Sequence, residues 1–176
     1  MSVSWLRLSI DDNDSQSEAS IGDTYLRGGH ELISFTNQNI SLYGSVSVKI
    51  PTADENKGLG SGEVDYGALL TVKKRWSNFS AMLFGGYTII GDPQDVNYTN
   101  STTYGASIFT RFNRVGTYLG LEGSSAIRED NKNPLQLSIG AIYALSSQNM
   151  VFARGAFGLS NGSPDREFNL GFNHFF

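Results

Sequence analysis

The sequence predicts an all-β chain, a transmembrane antiparallel up-and-down β-barrel of about ten strands that occupies residues 1–176 as a single domain. Three observations carry this reading. Apolar and polar residues alternate with a period of two along most of the chain, the alternating stretches are long, and the connections between them are alternately long and short.

The elements follow in order. A strand near 3–10 leads into the long connection DDNDSQSE, and one at 19–33 into the short SFTNQ. The strand at 39–50 precedes the long PTADENKGLGSGE, and that at 64–74 the short RWSN. Strands at 78–90 and 102–112 are followed by the long GDPQDVNYTNS and the tight NR. Those at 115–126 and 134–145 are followed by the long REDNKNP and the short SSQN, and 149–159 joins 166–176 through SNGSPD. NISLYGSVSVKI shows the pattern best, with Ile40, Leu42, Val46, Val48 and Ile50 on one face and Ser41, Tyr43, Ser45, Ser47 and Lys49 on the other. LQLSIGAIYAL repeats it. Most segments run 10 to 13 residues, whereas soluble strands cluster at about 5–6 and a tilted spanning strand needs about 9–11. Short turns on one side and longer loops on the other are the build of outer-membrane barrels.

Composition agrees. Twenty glycines with only 4 prolines suit long hydrogen-bonded strands. The net charge of -4 lacks the basic excess of a nucleic-acid binder, and without cysteine there is no disulfide framework. No apolar run is long enough for a spanning helix, and no signal peptide opens the sequence. All the acidic residues except Glu31 and Glu122 fall in the long loops or the strand ends beside them. Lys73, Lys74, Arg75, Arg111 and Arg114 gather at the short turns, and Trp5, Trp76, Phe79, Phe112, Tyr143 and Phe176 map to the same level, as an interfacial girdle would.

An unpaired charge at mid-bilayer costs about 2–4 kcal/mol, which decides the faces. The parity that turns the apolar set toward lipid sends Arg7, Asp23, Arg27, Lys49, Asp65, Lys73, Arg111, Glu122, Arg154 and Glu167 to the inner, lumen-lining face. Lys74 is the exception, at a strand end where it can snorkel. Strand 78–90 carries no charge and its register is open. Ten strands lie near the filled end of barrel sizes, so a narrow interior of paired ions and glycines is expected rather than a wide pore.

Signals for chemistry are weak. His30 and His174 fall on the lipid face, no serine has a histidine partner, and the chain reads as a non-enzyme without cofactor or metal site. DDNDSQSE lacks the glycine and final glutamate of a calcium loop, and GLGSG is not followed by a helix.

The ending NLGFNHFF resembles the C-terminal signal of bacterial outer-membrane barrels, with Asn169, Gly171 and Phe176 in place and His174 where a bulky apolar residue is usual. The resemblance implies recognition by the barrel-assembly machinery. GDTYLRGG, VSVKIPTADENKGLGSGEVDYGALLTVKK and GGYTIIGDP resemble the outer-membrane family of the phenol meta-degradation (MetA) pathway. Lys49, Ile50, Pro51, Thr52, Gly58, Gly60, Gly62, Asp65 and Tyr66 match its loop motif, and Ala53 replaces a glycine. Members are typically longer by an N-terminal hairpin and a signal peptide, so the chain reads either as the last ten strands of a twelve-stranded barrel or as a short ten-stranded member. The resemblance implies passage of small, aromatic or hydrophobic solutes across the bacterial outer membrane. The expected surroundings are lipid bilayer and lipopolysaccharide, with no nucleic acid. Two alternatives stand beside it: a plugged structural or adhesive barrel acting through acidic loops, and a soluble lipid-binding barrel with the apolar parity inward.

Overall fold

The structure, a computed structural model, describes residues 23–53, 61–93, 97–128 and 130–174. Within them the alternating stretches form nine strands: β1 (Thr24–Phe35), β2 (Ile40–Ile50), β3 (Asp65–Arg75), β4 (Phe79–Ile89), β5 (Ser101–Phe112), β6 (Val115–Ser124), β7 (Leu135–Ala144), β8 (Asn149–Gly158) and β9 (Arg166–His174). They make one antiparallel sheet in chain order, each strand paired with the next, an uninterrupted up-and-down meander. The expected strand near 3–10 lies outside the described residues.

Hairpin register puts the charged residues of the strands on one face, apart from Lys74 and Arg166 at strand ends. Lys49 is opposite Asp65, Lys73 opposite Met82, and Gly105 opposite Glu122. The uncharged strand is assigned by the same ladders: Ser80, Met82, Phe84, Gly86 and Thr88 of β4 lie on the polar face, and Phe79, Ala81, Leu83, Tyr87 and Ile89 on the apolar one. Both sets contain large apolar residues, which is why periodicity alone does not separate them.

β1 differs from expectation at its end. It runs to Phe35 rather than stopping at 33, and its register shifts between Glu31 and Ile33. The extra residue of this bulge, Leu32, leans over Gly44 on the apolar face, where a Cβ would come within 2.9 Å of it. Adjacent Leu32 and Ile33 thus both join the apolar side while Ser34 returns to the polar one, opposite Ser41.

The short connections are tight. Thr36–Gln38 forms one 3-10 turn, closed by Asn39 at φ 53, and the β5–β6 turn uses Asn113, also at φ 53. Asparagine tolerates this left-handed conformation because its side chain can bond locally. At the β3–β4 turn the rings of Trp76 and Phe79 stack at 4.5 Å, with Lys74 Nζ 5.4 Å from the Trp76 ring. The longer connections are held by side-chain bonds to backbone: Asp92 Oδ1 accepts from Tyr98 N at 2.8 Å, Asn133 Oδ1 from Ala126 N at 2.9 Å, and Ser163 Oγ from Leu135 N at 2.8 Å.

The sheet curls around its polar face. A cavity of about 310 Å³ there is bounded together by Met82 of β4, Ser107 of β5, Tyr118 of β6, Ser138 of β7 and Arg154 of β8. Five flat strands would span roughly 20 Å at the usual spacing, so a single small cavity touches all five only if the sheet is concave.

The core is inverted relative to a water-soluble domain. Among the described residues the only buried hydrophobic is Ala156, at 2% exposure, whereas Lys49, Ser80, Ser101 and Ser138 are buried polar groups. The large apolar side chains stand outward: Val46 is 64% exposed, Leu83 63% and Leu170 66%.

Candidate functional site

Two ion clusters stand on the polar face. The first, at the long-loop end, centres on Lys49, which is only 7% exposed. Its ammonium lies 2.9 Å from Asp65 Oδ2 and 3.7 Å from Asp23 Oδ2, and it donates to Ser61 Oγ at 2.7 Å. Each aspartate uses its other oxygen to hold a loop: Asp23 Oδ1 accepts from Ala53 N, and Asp65 Oδ1 from Gly91 N, both at 3.1 Å. One buried charge thereby ties β1, β2 and β3 to the loops that follow β2 and β4. The short distances and the saturated oxygens are what make burial of three charges tolerable. Gly62, at φ 72, supplies a backbone turn beside Ser61 that an L side chain rarely adopts.

The second cluster sits deeper. Arg154 of β8 pairs with Glu122 of β6 and, through Nη1, with Glu167 of β9 at 3.5 Å. Gln136 Nε2 donates to Glu122 Oε1 at 3.0 Å and Asn169 Nδ2 to Glu167 Oε1 at 2.8 Å. Arg154 and Glu122 are not ladder partners. The residue opposite Arg154 on the intervening β7 is Gly140, so the pair with Glu122 spans a whole strand.

Glycines also shape the wall. A Cβ on Gly140 would clash with Cε1 of the Tyr118 ring, one on Gly105 with Cζ of the Phe84 ring, and one on Gly116 would lie 2.6 Å from Phe109 Cζ. These three rings therefore lean along the sheet over bare backbone instead of standing into the cavity. Gly140→Val is expected to force Tyr118 upright and to destabilise the fold by about 1–3 kcal/mol. Urea titration checks this, and Tyr118→Ala in the same chain should restore part of the loss.

The remaining residues singled out from the sequence are dispersed. Arg27 lies over the Tyr25 ring at 5.6 Å, and Arg111 Nε donates to Asn113 O at 3.1 Å at the short turn. Lys73 and Glu31 border a small polar recess with Arg75. Asn169 and Gly171 are on the polar face, while His174 is on the apolar one with Nδ1 2.8 Å from Asn149 Oδ1. Pro51, Thr52 and Tyr66 flank the Lys49 cluster, with Thr52 Oγ1 2.9 Å from Thr24 Oγ1. Arg7, Gly58, Gly60 and Phe176 lie outside the described residues. Sequence reasoning missed Ser61, the linking Gln136 and the ring–glycine pairs, and it named Asn169 only for the C-terminal signal. Ser61 belongs to a loop, and Gln136 and the ring–glycine pairs emerge only when hairpin registers are laid side by side.

A family model described as "Putative MetA-pathway of phenol degradation" matches residues 2–176. The chain belongs to this family. The stretch that resembles the MetA-pathway family's loop motif is the one that builds the Lys49 cluster, so its Lys49, Ser61, Gly62 and Asp65 have a physical role in fastening the return of that loop to β2 and β3. Comparison with curated proteins gave no match.

Proposed function

We propose that the chain is a bacterial outer-membrane β-barrel that passes small hydrophobic or aromatic solutes along its polar, concave face. The observation that carries this reading is the inverted core. Soluble monomers rarely expose contiguous apolar patches beyond a few hundred Å², yet here the apolar parity of all nine strands faces outward and the charges gather inside. Lipid is the environment that suits such an exterior, and strand lengths of 9 to 12 residues fit a tilted crossing. The same distribution opposes a soluble lipid-binding barrel, which would place its apolar residues around the cavity. On this reading the long acidic loops meet lipopolysaccharide and the short turns face the periplasm. The family description agrees with a role near aromatic degradation.

The test is refolding from urea into detergent, followed by planar-bilayer recording. A heat-modifiable band with discrete current steps is the expected result. Folded protein without current would overturn passage and favour a plugged structural barrel; folding without detergent would overturn the membrane reading itself.

A further inference from the structure

Charge on the polar face is matched in two places and left open in a third. Lys49 and Arg154 each sit between carboxylates. Lys73 and Arg75, at the short-turn end of β3, do not. Among the described residues neither has a carboxylate within 4.0 Å. Both line a recess of about 170 Å³ together with Glu31, Ser34, Thr36, Asn39 and Ser41.

Strand register builds this recess. The bulge in β1 returns Ser34 to the polar face opposite Ser41, and Ser41 is opposite Lys73. Arg75 N donates to Asn39 O at 2.9 Å, which fixes the end of β3 against the turn after β1. Lys73 and Arg75 are two residues apart and so share one side of the strand. Glu31 is the one acidic residue near the short turns among the described residues. Its carboxylate is set among the hydroxyls of Tyr43, Ser41 and Ser34 rather than against either cation. Two cations against one carboxylate leave the recess with a net positive charge. Lys74 and Arg114 at the short turns have the same sign, and a concave positive surface gathers anions.

We propose that this recess is a binding site for a small oxyanion, a carboxylate or phosphate group bearing at most a few carbons. Arg75 supplies the planar pair of N–H donors that matches an oxyanion edge, Lys73 a point charge, and the hydroxyls of Ser34 and Thr36 neutral donors. Glu31 opposes the anion and limits its affinity. In the orientation given above, the site stands at the periplasmic mouth. It does not rest on solute passage.

Saturation-transfer NMR tests it, reading the methyl signals of acetate, methylphosphonate and uncharged acetamide with protein refolded into phosphatidylcholine nanodiscs. Acetate and methylphosphonate represent the two sources of oxyanion, and the one held more tightly names the source. Saturable transfer to at least one anion and none to acetamide is the expected result. The double variant Lys73→Met, Arg75→Gln should weaken the anion by roughly tenfold or more, whereas Arg114→Gln, outside the recess, should leave it unchanged. Glu31→Gln should tighten the anion by roughly threefold, because one repelling charge is gone. Heat modifiability shows that each variant folds, and if the double variant does not, the Glu31→Gln result decides. Equal transfer to acetamide, undiminished binding in the double variant, or no tightening in Glu31→Gln overturns the proposal. Saturable anion transfer in a barrel that carries no current would keep this site and remove passage.

Discussion

Lys49→Met is expected to be the most damaging single substitution on the polar face, lowering stability by about 3–5 kcal/mol. Removing the ammonium takes away the counter-charge that the Asp23 and Asp65 carboxylates share among the described residues, and both are buried, at 10% and 14% side-chain exposure. Their remaining bonds, to Ala53 N and Gly91 N, cannot neutralise two like charges that had been held together by one cation. Ser61 loses the bond that fastens its loop. Urea unfolding of refolded protein measures the loss, and limited proteolysis should show faster cleavage between 51 and 64. The triple variant Lys49→Met, Asp23→Asn, Asp65→Asn should recover much of the stability, because the harm comes from the orphaned charges and not from the missing attraction. A fall below about 1 kcal/mol for Lys49→Met would mean the cluster is solvated like a surface pair.

Ile139→Arg comes next. Ile139 is at the middle of β7 on the apolar face, 56% exposed. In water this exchange would be nearly neutral. In a bilayer it is expected to destabilise by about 2–4 kcal/mol, and the same change at Leu159, just past the long-loop end of β8, by about 0–1 kcal/mol. Titrating both variants between urea and phospholipid vesicles gives the difference directly. Equal, small effects at the two positions would contradict lipid contact at Ile139.

What could be read in advance follows from what periodicity records. Where polar and apolar residues alternate, as in β2 and β7, strand and face were both legible from the sequence. In β4 the strand was legible and its faces were not, because Met82 and Phe84 are as apolar as Leu83 and only the ladders to β3 and β5 assign them. The end of β1 was misplaced because Leu32 and Ile33 break the alternation, which looks like termination and is a bulge. Of the site, the Lys49–Asp65 contact is a direct hairpin pairing and was within reach. The Arg154–Glu122 contact crosses the intervening β7, and Asp23 and Ser61 enter from loops. No one-dimensional pattern encodes such contacts, since they depend on how several hairpin registers line up.

The meander of consecutive antiparallel pairs has a consequence for how the sheet is put together. Every ladder among the described residues joins neighbours in the chain, so each of these nine strands meets its partner as soon as the next one is in place, and loop-closure entropy rises only slowly between the tight turn at Asn113 and the longer connections. A pairing slip of one residue exchanges the two faces of a strand. Here it would send Lys49, Glu122 or Arg154 to the outside and strip each of its counter-ion. Misregistered hairpins are therefore much poorer in energy than correct ones at the moment they form. Growth of the sheet becomes self-correcting, with each hairpin proofread before the following strand is added.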